Sequence, residues 1–144
     1  MKSATARLTD LEYQINFLKL LIIKNQINMY KYKAKVERVI DGDTLEVTID
    51  LGFKITTFQK LRLAGINTPE TYNVKKDSEE YQKGILSKNY VEKRISENNN
   101  MILIETEKVP EKYGRYVTKV FLEDSGKTLN DELVENGLAV YVKY

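Results

Sequence analysis

The sequence predicts a domain of the α+β class that is mainly β, with helices packed on it and an extra helix at the N-terminus. Apolar and polar residues alternate in several short runs, which is the period of half-buried strands. Apolar residues also recur at helical spacing behind Asp77 or Ser78 and behind Thr128, which are typical helix N-cap residues. No repeat or linker interrupts these runs, so we expect one globular domain, residues 30–144, and a helical extension, residues 1–29.

The alternating runs place the strands of this domain. The expected strands are residues 31–36, 44–50, 53–64, 101–104 and 116–122. Leu51 and Gly52 form the turn between the second and third of them. The run 101–104 is apolar throughout, which is typical of a fully buried strand.

A long helix is expected between the third and fourth strands, ending at the asparagine run 98–100. Its predicted buried face consists of Tyr81, Ile85, Val91 and Ile95. Leu86 and Tyr90 lie off that face, so each of them needs another packing partner.

The composition limits the chemistry that the chain can perform. It has 144 residues, enough to bury a core, and it contains neither cysteine nor histidine. Disulfides, thiolate or imidazole zinc sites and imidazole bases are therefore excluded. The net charge is only +2, so affinity for phosphates must come from local patches, such as the basic residues Lys31, Lys33, Lys35 and Arg38.

Acidic side chains stand at the ends of two neighbouring strands. Asp41 and Asp43 precede the strand 44–50, and Asn67 and Glu70 follow the next strand. If the two strands pair, these oxygens converge near Arg62, which points away from the leucines beside it. Oxygen donors of this kind suit a hard cation such as Ca²⁺, and the added arginine favours metal-assisted phosphate chemistry.

Three motifs resemble those of the staphylococcal nuclease (thermonuclease-like) family. They are V-I-D-G-D-T at 39–44, L-R-L-A-G-I-N-T-P-E at 61–70, and the block that begins E-K-Y-G-R-Y at 111 and ends at Ala139. Together they cover about residues 30–144 in family order, and three motifs in order are far more specific than D-G-D-T alone. The resemblance implies a five-stranded Greek-key β-barrel of the OB type with packed helices. It also implies Ca²⁺-dependent hydrolysis of DNA and RNA with low sequence specificity.

The same resemblance assigns roles to individual residues. It implies catalytic roles for Arg62, Glu70 and Arg115, metal ligation by Asp43, Asn67 and the carbonyl of Thr68, and substrate contacts from Lys112 and Tyr113. Asp41 is expected to support the metal ligands without binding the metal itself, or to be a turn residue. Tyr141 or Tyr144 is expected to stack a base, because the chain has ten tyrosines and no tryptophan.

Asn67 departs from the family pattern, since the best-known members carry aspartate at that position. One negative charge is lost, which predicts weaker metal binding and puts the choice of metal in question. The alternative to an enzyme is a catalytically weak or inactive nuclease-fold module that binds nucleic acid or protein. The expected partners of an enzyme are single-stranded or frayed DNA and RNA.

Residues 1–29 lie outside the resemblance. Thr9 to Glu12 has the pattern of a capping box, and the heptad-like seam of the helix behind it consists of Leu8, Leu11, Ile15, Leu18 and Ile22. We expect this helix to pack on the domain over Leu86 and Tyr90, within one chain or across a homodimer; a non-native extension upstream of Met29 is the alternative. The segment is interrupted by charges, so it is neither a signal peptide nor a membrane span. A cytoplasmic location is expected for the chain as given, although relatives are often exported.

Overall fold

The computed structural model describes residues 2–26, 30–123 and 126–143. Of residues 2–8 and 23–26 it describes the backbone only. The helices are α1 (Lys2–Gln26), α2 (Glu79–Glu97) and α3 (Leu129–Glu135). The strands are β1 (Lys31–Asp41), β2 (Thr44–Asp50), β3 (Thr56–Leu63), β4 (Ile66–Asn67), β5 (Met101–Thr106), β6 (Tyr116–Phe121) and β7 (Val140–Tyr141). Tyr144 lies outside the described residues.

Five strands close into a barrel in the order β1–β2–β3–β6–β5, which confirms the predicted five-stranded fold. All neighbours are antiparallel except β3 and β6, which run parallel. Apolar side chains fill the interior because every second residue of each strand points inward. Leu45, Leu61 and Leu63 are fully buried there. Their strands carry the predicted site at one end of the barrel.

Two strand predictions were wrong in detail. Phe53 and Lys54 have positive φ angles of 54° and 62°, so the β2–β3 turn extends to Ile55 and β3 begins at Thr56. A left-handed conformation of two consecutive non-glycine residues has no clear sequence signal. The run 101–104 forms a half-buried strand, since Met101 and Leu103 face outward from the barrel and stay exposed.

Helix α2 begins behind Ser78, whose side chain accepts a hydrogen bond from the amide of Tyr81. Its fully buried positions are Gly84, Ser87, Val91 and Ile95. The predicted apolar face was therefore right at Val91 and Ile95, whereas Tyr81 and Ile85 are only half-buried. The prediction missed Gly84 and Ser87 as buried positions. Both are small and lie where the helix backbone comes close to another segment, and a search for apolar residues does not detect such contacts.

That close approach involves the segment that carries the predicted site. A Cβ on Gly84 would lie 2.7 Å from the carbonyl oxygen of Pro69 and 2.7 Å from the methyl group of Thr71. A Cβ on Gly42 would lie 2.8 Å from both Ser87 and the methyl group of Thr68. Only glycine permits such contacts without movement of the backbone. The two glycines thus allow α2 to lie close to the turn at Gly42 and to the segment 68–71.

Helix α3 is held by polar side chains as well as by its apolar face. The buried Asn130 accepts a hydrogen bond from the amide of Val120 and donates to the carbonyls of Ala64 and Thr118. Glu132 of α3 accepts from the hydroxyl of Tyr90 in α2 and from Arg94 Nε at 2.5 Å. This network ties the two helices together.

Helix α1 differs from its prediction. It begins at Lys2 and runs through Thr9, so the capping box at Thr9 does not open a helix. Every described side chain from 9 to 22 is exposed, and Leu86 is 59% exposed, so the described part of α1 does not cover Leu86 within this chain. Tyr90 finds its partner in Glu132 instead. Among the described helices, none has an apolar stretch long enough to cross a membrane.

Candidate active site

The carboxylate of Asp43 lies at the start of β2 and is fixed from three sides. Its Oδ1 accepts a hydrogen bond from the Thr44 hydroxyl at 3.0 Å, and its Oδ2 accepts from the amide of Thr68 at 3.0 Å. Arg62 Nη2 lies 3.2 Å from Oδ2. Asp43 is only 8% exposed, so these partners compensate for its lost hydration. The predicted convergence of residues 43, 62 and 68 is therefore present.

Arg62 lies at the centre of the site and is itself buried. Its Nη1 donates to the carbonyl of Leu63, and its Nη2 donates to the carbonyl of Ile66 at 2.9 Å and to the side-chain oxygen of Asn67. The guanidinium therefore joins the Asp43 carboxylate to the turn that carries Asn67. The resemblance implies a catalytic role for Arg62, and in this structure both of its Nη atoms donate to protein acceptors.

Asp41 and Glu70 lie beside the cluster formed by Asp43, Arg62 and Asn67. The hydroxyl of Thr71 donates a hydrogen bond to Asp41, which links the two acidic turns. Desolvation raises the pKa of the Glu70 carboxyl above its usual value, and the nearby carboxylates of Asp43, Asp41 and Glu80 raise it further. Arg62 acts in the opposite direction but more weakly. The potential at Glu70 is thus negative, which attracts a cation.

The donor set fits a hard cation in chemical type. Among the described residues no three acidic side chains are grouped closely enough to hold a metal ion by themselves. The carboxylate of Asp43 is supplemented by two neutral oxygens, the side-chain amide of Asn67 and the carbonyl of Thr68, and all three are hard donors of the kind that Ca²⁺ takes. Arg62 Nη2 contacts Asp43 Oδ2 and the side-chain oxygen of Asn67, so a cation bound at these two oxygens would share them with the guanidinium or displace it.

Arg115 lies in the turn before β6, together with the two predicted substrate residues. Its Nε is 3.2 Å from Glu111 Oε1, and this pairing lowers the pKa of the Glu111 carboxyl. Two cations lie close to the Tyr113 ring, Lys112 Nζ at 4.9 Å and the Arg115 guanidinium carbon at 5.5 Å from its centre. The exposed ring and its cations form a surface suited to a nucleotide.

The position of Arg115 relative to Arg62 follows from strand register. Strands β3 and β6 are parallel, with Arg62 opposite Val117 and Leu61 opposite Tyr116. Continued by one residue, this register sets Arg115 opposite Lys60. Side chains at 60, 62 and 115 therefore leave the barrel on the same outer side. The register thus indicates that the loop 111–115 and the Asp43 cluster lie on the same side of the barrel.

Strand β7 brings a tyrosine to the site from the distant C-terminal part of the chain. It pairs with β4, placing Tyr141 opposite Ile66 and Val140 opposite Asn67. The Tyr141 hydroxyl donates a hydrogen bond to Asp131 at 3.0 Å, and this bond raises the pKa of the phenol. Tyr141 is exposed, so its ring is accessible beside the turn that carries Asn67. Tyr144, the alternative stacking residue, lies outside the described residues.

A cleft of about 710 Å³ adjoins the Asp43 cluster. It is lined by residues 67–70, by Glu79, Glu80 and Lys83 of α2, and by residues 137–140. Sequence reasoning missed Glu80, whose carboxylate accepts from the Glu70 amide at 3.4 Å, and Thr71. Glu111 could have been found, since the turn at Gly114 brings it back to the oppositely charged Arg115.

Comparison with known proteins gives a family match. Residues 60–144 match the family model described as staphylococcal nuclease homologue. An uncharacterised protein of Methanocaldococcus jannaschii is 30% identical over 130 residues, which cover 77% of this chain and 60% of that protein. The endonuclease YhcR of Bacillus subtilis is 33% identical over 112 residues, 76% of this chain and 9% of that protein.

A thermonuclease of Staphylococcus intermedius is 34% identical over 105 residues, which cover 72% of this chain and 56% of that protein. The chain thus spans less than two thirds of the length of each of these relatives. The family match includes the turn 67–70 and the loop 111–115, and it begins after Asp43.

Proposed function

The chain belongs to the family of staphylococcal nuclease homologues, and from this premise we propose that it hydrolyses phosphodiester bonds in DNA and RNA. The reaction requires Ca²⁺ and shows little sequence specificity. One observation carries the proposal: Asp43, Asn67 and the Thr68 backbone gather around Arg62, with Glu70 next to them in a field of negative charge. Single-stranded or frayed nucleic acid is the proposed substrate, because an exposed strand enters such an open cleft most readily.

In this proposal each residue has a distinct role. Asp43, Asn67 and the Thr68 carbonyl would hold the cation, and Asp41 supports the turn behind them through Thr71. Ca²⁺ bound there would neutralise phosphate charge and lower the pKa of a water molecule. Glu70 orients the attacking water and accepts its proton; a carboxylate with a raised pKa suits that task better than an ordinary one.

The two arginines stabilise the charge that develops on the phosphate. Arg115 offers a planar fork on an accessible loop, and substrate phosphate replaces Glu111 as its partner. Arg62 holds Asp43 and Asn67 in position through its contacts with both side chains, and its guanidinium would supply positive charge to the phosphate. Lys112, Tyr113 and Tyr141 contact the nucleotides beside the cleaved bond.

A nuclease-fold binding module without catalysis is the competing function. The observation in its favour is that both Nη atoms of Arg62 are engaged by protein acceptors and Asn67 lacks the negative charge of aspartate. In that case the chain binds single strands without cutting them.

The test is cleavage of a labelled single-stranded DNA with Ca²⁺ and with a chelator. We expect cleavage only with Ca²⁺, and a loss of about 100-fold or more in kcat for Glu70→Gln. Glu92→Gln, an exposed position on α2, is the matched control and should retain full activity. Tight binding without cleavage by the wild-type protein would support the binding module and contradict the enzyme.

A further inference from the structure

The outer surface of strands β1–β3 continues from the candidate active site along the barrel. On β3 the outward residues are Arg62, Lys60 and Phe58, because Leu61 and Leu63 point into the core. Register places Phe58 opposite Thr48 of β2, and Thr48 opposite Lys35 of β1. Phe58 thus lies on the same outer surface as Lys35.

Phe58 is the unusual residue of this surface. Its side chain is 58% exposed, although it stands in the middle of a regular strand and is paired with Thr48 of β2. A flat aromatic ring that faces solvent between cations is a platform on which an unpaired base can stack. A duplex offers no free base face there, so the ring favours single strands.

The charges on this surface favour a polyanion. Glu46 is paired with Arg38 at 2.9 Å. Glu37 and Asp50 accept hydrogen bonds from neutral donors, the Thr48 hydroxyl and the Gly52 amide, and keep their charge, so two carboxylates stand against three lysines. The exposed lysines have no ion pair among the described residues; they are Lys33, Lys35 and Lys60. Cations without internal partners are available for phosphates.

We propose that Lys35, Phe58 and Lys60 form an extended binding track for a single-stranded segment of the substrate outside the active site. Phe58 stacks one base, and the two lysines contact backbone phosphates. At about 3.4 Å per residue, Phe58 lies some 13–14 Å along β3 from Arg62. An oligonucleotide reaches both positions, whereas a dinucleotide held at the active site does not. The track rests on the proposed function for its ligand, and it predicts a preference for long substrates.

Binding and cleavage are measured separately, so that the two proposals can fail independently. Binding uses a labelled oligothymidylate in the presence of chelator, followed by fluorescence anisotropy. Cleavage compares kcat/KM for that oligonucleotide with kcat/KM for a dinucleotide, both with Ca²⁺. Phe58→Ala should weaken oligonucleotide binding and raise its KM by about tenfold, the effect of losing one base stack. Dinucleotide cleavage should not change.

Phe53→Ala is the matched control, because Phe53 is 97% exposed at the tip of the β2–β3 turn and lies off the track. It should bind and cleave as the wild-type protein does. Lys60→Gln should reduce the slope of log binding constant against log salt concentration by about one, and Lys93→Gln on α2 should not change it.

Equal losses in Phe58→Ala and Phe53→Ala would overturn the track, and so would an unchanged oligonucleotide affinity in Phe58→Ala. Urea unfolding of each variant confirms that the exposed substitutions leave the fold intact. If the wild-type protein binds the oligonucleotide in a Phe58-dependent way but cleaves neither substrate, the track stands and the nuclease proposal fails.

Discussion

Asp43 Oδ2 and Arg62 Nη2 lie 3.2 Å apart at the end of the β2–β3 hairpin, with side chains only 11% and 10% exposed. Each charge is therefore poorly hydrated and depends on the other. This pair makes the two arginines of the site unequal, because Arg115 pairs with Glu111 in a more accessible loop. Their substitutions should consequently differ in their effect on stability.

Arg62→Ala should lower the free energy of unfolding by about 3–5 kcal/mol, because it leaves Asp43 as an unpaired buried charge. Arg115→Ala should leave stability within about 1 kcal/mol, since it removes a partly exposed pair. Both variants should lose about 100-fold or more in kcat. Urea unfolding and single-stranded DNA cleavage separate the two effects. Full activity of both variants would contradict their proposed roles.

Asn67→Asp should tighten Ca²⁺ binding, because it adds a negative charge beside the carboxylate of Asp43. Arg62 already donates to the Asn67 side chain, and an aspartate there will also strengthen that contact. Calorimetric titration with Ca²⁺ shows which of the two effects, attraction of Ca²⁺ or pairing with Arg62, is larger. Equal or weaker affinity would mean that position 67 does not bind the metal, or that Arg62 retains the new charge.

Gly84→Ala should reduce activity although alanine favours helices by about 1 kcal/mol. The added methyl group would meet the Pro69 carbonyl and Thr71, and so would displace the turn that carries Glu70. Ser96→Ala, at an exposed position of the same helix, is the control and should have no effect on cleavage. Cleavage kinetics and urea unfolding of the two variants check this; a fully active Gly84→Ala would show that the turn tolerates the shift.

Stability should fall at high pH through Tyr90. Burial and the hydrogen bond to Glu132 raise the pKa of the Tyr90 phenol to about 12 in the folded protein, from 10.0. The folded state thus holds this proton more tightly, and the contribution is complete below pH 10 and lost as pH rises toward 12. Phenolate absorbance should show a late-titrating tyrosine that is missing in Tyr90→Phe. If the two titration curves coincide, Tyr90 is not shielded.

A homodimer formed through the heptad-like seam of α1 remains a prediction. Leu18 lies in that seam, whereas Tyr13 lies outside it and is 72% exposed. Sedimentation of the intact chain should give a dimer, and deletion of residues 1–28 or Leu18→Glu should give a monomer. Tyr13→Glu should leave the dimer unchanged. A monomeric intact chain would refute the seam as a dimer contact.

Local signals were sufficient for much of the fold. Alternation placed β2 and most of β3, Thr128 marked the start of α3, and Ser78, one of the two candidates left open for α2, is its cap. These signals work because strand period and cap chemistry depend on neighbouring residues. The β4–β7 pairing could not be found in the same way, since two-residue strands have no period to recognise.

The site was partly predictable for a similar reason. The pairing of two adjacent strands brings Asp43 to Arg62, and that pairing follows from the hairpin. The Thr71–Asp41 hydrogen bond and the position of Glu80 depend on how α2 packs against the turns. Packing of this kind is a tertiary property that no short motif contains. The engagement of Arg62 by its own turn was missed because a motif specifies residues but not side-chain conformations.

The β4–β7 pairing also bears on how the protein is made. Asn67 is opposite Val140, with α2, β5, β6 and α3 all between them in the sequence. During synthesis the carboxylates of the site leave the ribosome long before the strand that braces their turn. A nascent chain therefore carries an unfinished site while it is still attached to its messenger RNA. If the protein cuts RNA, this order of assembly delays activity until β7 has left the ribosome.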